Sequence, residues 1–250
     1  MRGLAKFKEY FGEYSENYIL IGGTACAIIL NESGVDFRVT KDFDIVIIAE
    51  NLHEEFARRM WEFIKNGNYG QREKSANKNE LYRFLKPVNS DFPYMIEIFS
   101  RKPSGYDLAE GSHLTPIHVA DEISSLSAIL LDDEYYNFML AGKKIVDGVS
   151  LLDEYHLIPL KAKAWGELTQ RRMNGESGLT KHIRKHRNDI VQIFSIVEPN
   201  RKISLHGLVR RDMEIFLAAL KNEDIDFKSL GLGSLDLAFV CKRLDAIYLS

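Results

Sequence analysis

Hydrophobic and polar positions along the 250-residue chain fall into two regimes. Up to about residue 150, short apolar runs with strand character alternate with amphipathic stretches at helical spacing. Tyr18–Ile21, Phe43–Ile48, Leu81–Lys86 and Pro93–Ser100 read as strands. Leu4, Phe7, Tyr10, Phe11 and Tyr14 mark a helix over residues 3–15, and Thr24–Leu30 a second, closed by the turn Asn31–Gly34. Leu52, Phe56, Met60, Phe63 and Ile64 give Leu52–Lys65 one apolar stripe, ended by Asn66-Gly67-Asn68. The polar stretch Gly70–Glu80 reads as a loop or a hairpin arm. Thr115–Ala120, a helical stretch about Ala120–Leu131, Tyr136–Leu140 and Lys143–Val146 complete this half. From Leu151 the pattern turns helical: Leu151–Met173, with Pro159 opening a fresh helix, then Thr180–Val197, Ser204–Lys221 and Ser234–Leu249. The expectation is an α/β (α+β) protein. Residues 1–150 form a mixed β-sheet with flanking helices, and residues 151–250 a helical part that completes the cleft.

Three places in the first half carry chemistry. The strand Tyr18–Ile21 runs into Gly22-Gly23-Thr24 and a helix, and the next strand opens Asp42-Phe43-Asp44. Alternate side chains of a strand share a face, so Asp42 and Asp44 point together while Phe43 and Ile45 point into packing. Two carboxylates beside a glycine turn are placed to hold a divalent metal against a nucleoside triphosphate. The third place is Glu97, alone among apolar residues in Met95-Ile96-Glu97-Ile98-Phe99. A buried carboxylate requires a cation or donors. A salt bridge to a nearby Lys or Arg would satisfy it, and so would a metal shared with Asp42 and Asp44.

This order of glycine pair, acid-x-acid strand and third acid resembles the nucleotidyltransferase superfamily, and within it the bacterial abortive-infection (AbiEii-like) group. Two later stretches carry the likeness on. Leu157-Ile158-Pro159-Leu160-Lys161-Ala162-Lys163-Ala164 is similar to the helix whose lysine reaches the triphosphate, and Lys185-His186-Arg187-Asn188-Asp189-Ile190 to a basic-to-aspartate helix. The resemblance spans roughly residues 18–195. It implies that Asp42, Asp44 and Glu97 bind two Mg²⁺ ions and that Gly22 and Gly23 let the backbone approach the triphosphate. Lys161 would neutralise phosphate charge in the transition state, and Asp189 would orient Lys161 or a ribose. Thr24 would donate to phosphate or cap its helix, and Thr40 would touch phosphate or nucleobase, with Arg38 a surface charge. The implied activity is transfer of a nucleoside monophosphate from NTP to an acceptor hydroxyl, with release of pyrophosphate. The implied setting is a toxin acting on tRNA or another RNA, held by a cognate antitoxin.

Each assignment has a plainer counterpart. Asp42, Asp44 and Glu97 would form a structural acid cluster neutralised by lysine. Asp189 would pair with Lys185 one turn back, and Lys163 competes with Lys161 from another face of its helix. The run Lys181, His182, Arg184, Lys185, His186, Arg187 would hold a polynucleotide backbone or form a solvated helix face. His182 and His186 lack a third ligand nearby in sequence, which discounts zinc. A non-catalytic nucleotide-binding or partner-binding module, and transfer to a small-molecule hydroxyl of the aminoglycoside type, are the rival functions.

The remaining numbers narrow the classes. The net charge of −3 is divided, with 17 basic and 23 acidic residues in 1–150 against 16 and 13 in 151–250. An acidic half that gathers metal beside a mildly basic half suits a nucleotide enzyme better than a strongly basic nucleic-acid binder. No apolar run reaches membrane-spanning length, and the start of the chain is charged too early for a secretory core. Cys26 and Cys241 sit in apolar helical contexts and read as buried thiols. A cytoplasmic protein is expected.

Overall fold

The computed structural model describes residues 1–74, 81–101, 114–116, 127–198 and 200–250. They divide into two compact units. One comprises Met1–Ile28, Arg38–Tyr136 and Lys143–Leu152; the other comprises Ile29–Phe37, Asn137–Gly142 and Asp153–Ser250.

The first unit holds a mixed sheet of β1 (Tyr18–Ile21), β2 (Asp42–Ile47), β3 (Tyr69–Lys74), β4 (Leu81–Pro87), β5 (Met95–Ser100), β6 (Leu114–Pro116), β7 (Ser127–Leu130), β8 (Lys143–Val146) and β9 (Val149–Leu152). The order is β3-β4-β5-β2-β1-β9-β8. β2 lies parallel to β5 and antiparallel to β1, and β1 lies parallel to β9. β7 joins β5 in parallel at Phe99 and Ser100, and β6 pairs antiparallel with β7. The expected helix about Ala120–Leu131 is therefore corrected over Ser127–Leu130, which is strand; residues 117–126 lie outside the described residues. A four-residue apolar run bonds into a sheet edge as readily as into a helix, and only the partner strand decides which. The hairpin-arm reading of the polar stretch holds through Lys74, as β3 pairs antiparallel with β4.

The strand alternation of β2 organises the core. Phe43 is fully buried and meets Phe7 at 5.3 Å between ring centroids. Phe7 belongs to α1 (Leu4–Phe11) and also contacts Tyr18 at 5.2 Å and Phe63 at 5.9 Å. Phe63 lies on α3 (Glu54–Gly67) and meets Phe92 at 4.8 Å. Edge-on and tilted aromatic pairs of this kind add about 0.5–1.5 kcal/mol each beyond the area they bury. His53 caps α3 by accepting from the Phe56 amide, and Asn68 closes it in the left-handed region at φ 48°. Three phenols seal the same unit: Tyr18 accepts from the Ser150 amide, Tyr69 donates to the Pro93 carbonyl, and Tyr136 donates to Glu50. Burial pushes Tyr18 up to about 12, and raises Tyr69 and Tyr136 as well.

The second unit is built on α5 (Glu154–Met173), α6 (Thr180–Phe194), α7 (Gly207–Leu220) and α8 (Leu237–Tyr248). Two shorter connections complete the chain: α2 (Gly22–Glu32) and α4 (Asp133–Ala141). α5 starts later than the apolar pattern implies, because Val149–Leu152 is the fully buried strand β9. Asp153 then caps the helix, its carboxylate accepting from the His156 amide at 2.8 Å. Pro159 does not open a fresh helix but lies inside α5. A proline there has no N–H for the carbonyl four residues back. That carbonyl belongs to Tyr155, and it accepts the Tyr248 hydroxyl at 2.8 Å, so α8 supplies the donor that Pro159 lacks. Cys26 and Cys241 are buried thiols outside any disulfide. Among the described residues no helix is long and apolar enough to cross a membrane.

Candidate functional site

The registers of β1, β2, β4 and β5 place Ile21, Asp44, Glu97 and Arg83 in one row across the sheet. Paired residues of neighbouring strands project from the same face, so Asp44, Glu97 and Arg83 share it, with Asp42 two residues back along β2. Asp42 and Asp44 are half-buried while Phe43 and Ile45 between and beyond them are buried, which is the alternation the sequence predicts.

Ile21 sits opposite Asp44, so the glycine turn that follows Ile21 lies beside the acids. Gly22 has φ +67°, and a Cβ added to it would fall 1.9 Å from Asp44 Oδ2. Both the backbone conformation and the approach require glycine here. At Gly23 a Cβ would meet Thr40 Oγ1 at 3.0 Å and Arg38 Nη2 at 3.3 Å. Thr40, buried at 8% exposure, and the half-buried Arg38 are thus gathered over the glycine pair. The Thr24 hydroxyl is fully buried and donates to the Asp42 carbonyl at 2.7 Å. It acts on the site by fixing α2 to the first acid of β2, and its proton is committed there. Cys26 adds a second tie, from Sγ to the Gly22 carbonyl at 3.0 Å.

Glu97 is held by Arg83, whose Nε lies 2.5 Å from Oε1 and whose Nη2 contacts the same oxygen. The ion pair that the sequence admitted for Glu97 is therefore present, with Arg83 as its cation. The sequence singled out neither Arg83 nor the placement of Arg38. The signal for Arg83 is its position in the strand Leu81–Pro87, but strand pairing is what brings it opposite Glu97.

These donors suit Mg²⁺, which takes carboxylate oxygens, and Asp42, Asp44 and Glu97 project from one face with Asp44 and Glu97 in register. Among the described residues no three His, Cys, Asp or Glu side chains are gathered as a metal-holding group. Arg83 occupies Oε1 of Glu97, so a metal at that oxygen would compete with the guanidinium.

Lys161 and Asp189 belong to the helical unit. Lys161 Nζ lies 2.7 Å from Asp189 Oδ2, and the two side chains are 5% and 1% exposed. Lys163 instead pairs with Glu167 on the surface of α5 at 2.9 Å. Of the basic run on α6, Lys181, His182 and Arg184 are exposed, whereas Arg187 is buried and paired with Glu223.

Comparison with known proteins adds a likeness of shape. Among solved structures the chain is similar to an antigenic nucleotidyltransferase-like protein from Paracoccidioides brasiliensis, at 15% identity and a TM-score of 0.46, over 92% of this chain and 94% of that one. No family model matches the chain, and no curated protein matches it. The functional reading rests on the chain's own residues.

Proposed function

We propose that this protein is a Mg²⁺-dependent nucleotidyltransferase that moves a nucleoside monophosphate from NTP to an acceptor hydroxyl and releases pyrophosphate. The observation that carries the reading is the row of Asp44 and Glu97 on adjacent parallel strands, with Asp42 on the same face and Gly22 packed against Asp44. Asp42, Asp44 and Glu97 would hold two Mg²⁺ ions, which would supply acidification of the acceptor hydroxyl and neutralisation of the leaving pyrophosphate. Gly22 and Gly23 leave room for phosphate oxygens to reach the backbone amides at the start of α2. Thr40 and Arg38, over Gly23, contribute a hydroxyl and a guanidinium to the same anion. The family resemblance assigns Lys161 to the β- and γ-phosphates, and within the helical unit its ammonium pairs with Asp189.

The proposed acceptor is the 3′ end of tRNA, in a toxin restrained by an antitoxin, as the AbiEii-like resemblance implies. The exposed Lys181, His182 and Arg184 on α6 support contact with a polynucleotide backbone. The Arg83–Glu97 ion pair favours a second reading, a nucleotide-binding module without turnover. One experiment separates them. Purified protein is incubated with Mg²⁺, each labelled NTP in turn and total tRNA, beside Asp42→Ala/Asp44→Ala. Label on RNA with the intact protein alone supports the enzyme and the RNA acceptor. Metal-dependent NTP binding without label directs the search to small-molecule acceptors or the binding module. Absence of both rejects the proposal.

A further inference from the structure

Arg83 stands in the row that carries Asp44 and Glu97, with Glu73 of β3 at its register on the other side, and its guanidinium contacts Glu97 through two nitrogens. The side chains are 33% and 14% exposed, so Glu97 is largely withdrawn from water while Arg83 retains a path to it. A carboxylate so placed is stabilised by a cation, and a guanidinium competes with a divalent ion for the lone pairs of the oxygen it contacts. A metal drawn to Oε1 of Glu97 therefore competes with Arg83 for that oxygen. The arginine stem is anchored in β4 at the register of Glu97, so the head released by Glu97 stays over the acid face. There its planar fork is suited to the phosphate chain of the nucleotide.

We propose that Arg83 is the resident counter-cation of Glu97, that a divalent metal exchanges with it, and that the displaced guanidinium then donates to the nucleotide's phosphates. This inference rests on the metal-dependent reading above. No covalent bond changes in the exchange: one cation replaces another at the carboxylate, and the guanidinium keeps its charge throughout.

The test uses the full chain, with Mn²⁺ as the metal probe, followed by electron paramagnetic resonance of the free ion. A non-hydrolysable α,β-methylene NTP analogue in the presence of Mg²⁺ serves as the nucleotide probe. In Arg83→Gln the competitor is gone, and Mn²⁺ without nucleotide binds roughly five-fold tighter, the scale of a partly exposed ion pair. The same variant binds the analogue several-fold more weakly, and Arg83→Lys, which retains a charge, recovers part of that affinity. A Mn²⁺ affinity unchanged or weakened in a cooperatively melting Arg83→Gln overturns the exchange. An unchanged analogue affinity overturns the handover to phosphate. Intact protein that binds no Mn²⁺, or that binds it equally well as Asp42→Asn/Asp44→Asn, overturns the metal reading itself and this inference with it.

Discussion

Two carboxylate–cation pairs, one in each unit, are built for opposite ends. Asp189 and Lys161 meet at 2.7 Å with side chains 1% and 5% exposed, joining two packed helices. Glu97 and Arg83 meet across two strands with side chains 14% and 33% exposed, on a face shared with Asp42 and Asp44. In the first pair both charges are nearly sealed from water, so separating them costs more than separating an exposed pair. In the second, solvent can compensate a departing partner, which makes the pair exchangeable. The difference teaches that a buried acid is not by itself a sign of ligand binding. The degree to which its cation is sealed distinguishes a permanent brace from a replaceable occupant.

The comparison is broken most severely at the sealed pair. Lys161→Met removes the buried ammonium that Asp189 contacts at 2.7 Å and is expected to cost about 3–5 kcal/mol in denaturant titration. Lys161→Met combined with Asp189→Leu costs less than the single change, because no charge is then left buried. A loss from the single variant no larger than that of Lys163→Met, whose partner Glu167 is on the surface, would sink the distinction.

Gly22→Ala is next. Its Cβ would fall 1.9 Å from Asp44 Oδ2 at φ +67°. Backbone strain and displacement of the acid together are expected to cost about 2–3 kcal/mol. The same variant should bind Mn²⁺ more weakly, which Gly34→Ala, open in space though also at positive φ, should not do.

Alkaline titration probes sealing in both units at once. Burial raises Tyr18 from the usual 10 to about 12, and raises Tyr155 and Tyr248 in the helical unit. A phenol whose folded pKa is raised favours the folded state fully below its unfolded value near 10. That stability is lost as pH climbs toward the folded value, on the order of 2 kcal/mol for Tyr18. Stability should therefore fall above pH 10, with the tyrosinate absorbance of these residues rising together with unfolding. A smooth rise while the far-ultraviolet circular dichroism is unchanged would contradict it.

The smallest effect is at the exchangeable pair. Arg83→Gln should change stability by at most about 1 kcal/mol, because Glu97 retains some water. A loss comparable to that of Lys161→Met would show that the two pairs are alike after all.

Much of the acid face was legible in the sequence because strand alternation is a local property. Asp42-Phe43-Asp44 announces which side chains share a face without knowledge of any partner. The glycine turn was equally legible, since Gly22-Gly23 follows an apolar run that can only end there. Arg83 was not, because its meaning depends on β4 pairing with β5 at one register, and local pattern carries no register between strands. Val149–Leu152 was absorbed into the following helix because four apolar residues fit both periods. The discriminating signal was Asp153, whose carboxylate marks where the helix starts. Thr24 shows a different limit: phosphate contact and helix capping were both read at its position, yet its hydroxyl donates to the Asp42 carbonyl at the start of β2.

The bond from Tyr248 to the Tyr155 carbonyl bears on how this sequence can drift over generations. Pro159 creates the vacancy and Tyr248 fills it, though neither residue touches the backbone register of the other. A lineage that replaces Pro159 by an ordinary residue regains the helical N–H and relaxes the demand for a hydroxyl at 248. One that loses the hydroxyl first inherits a buried carbonyl without a donor. Substitutions at these two distant positions should therefore arrive in a preferred historical order, proline before tyrosine.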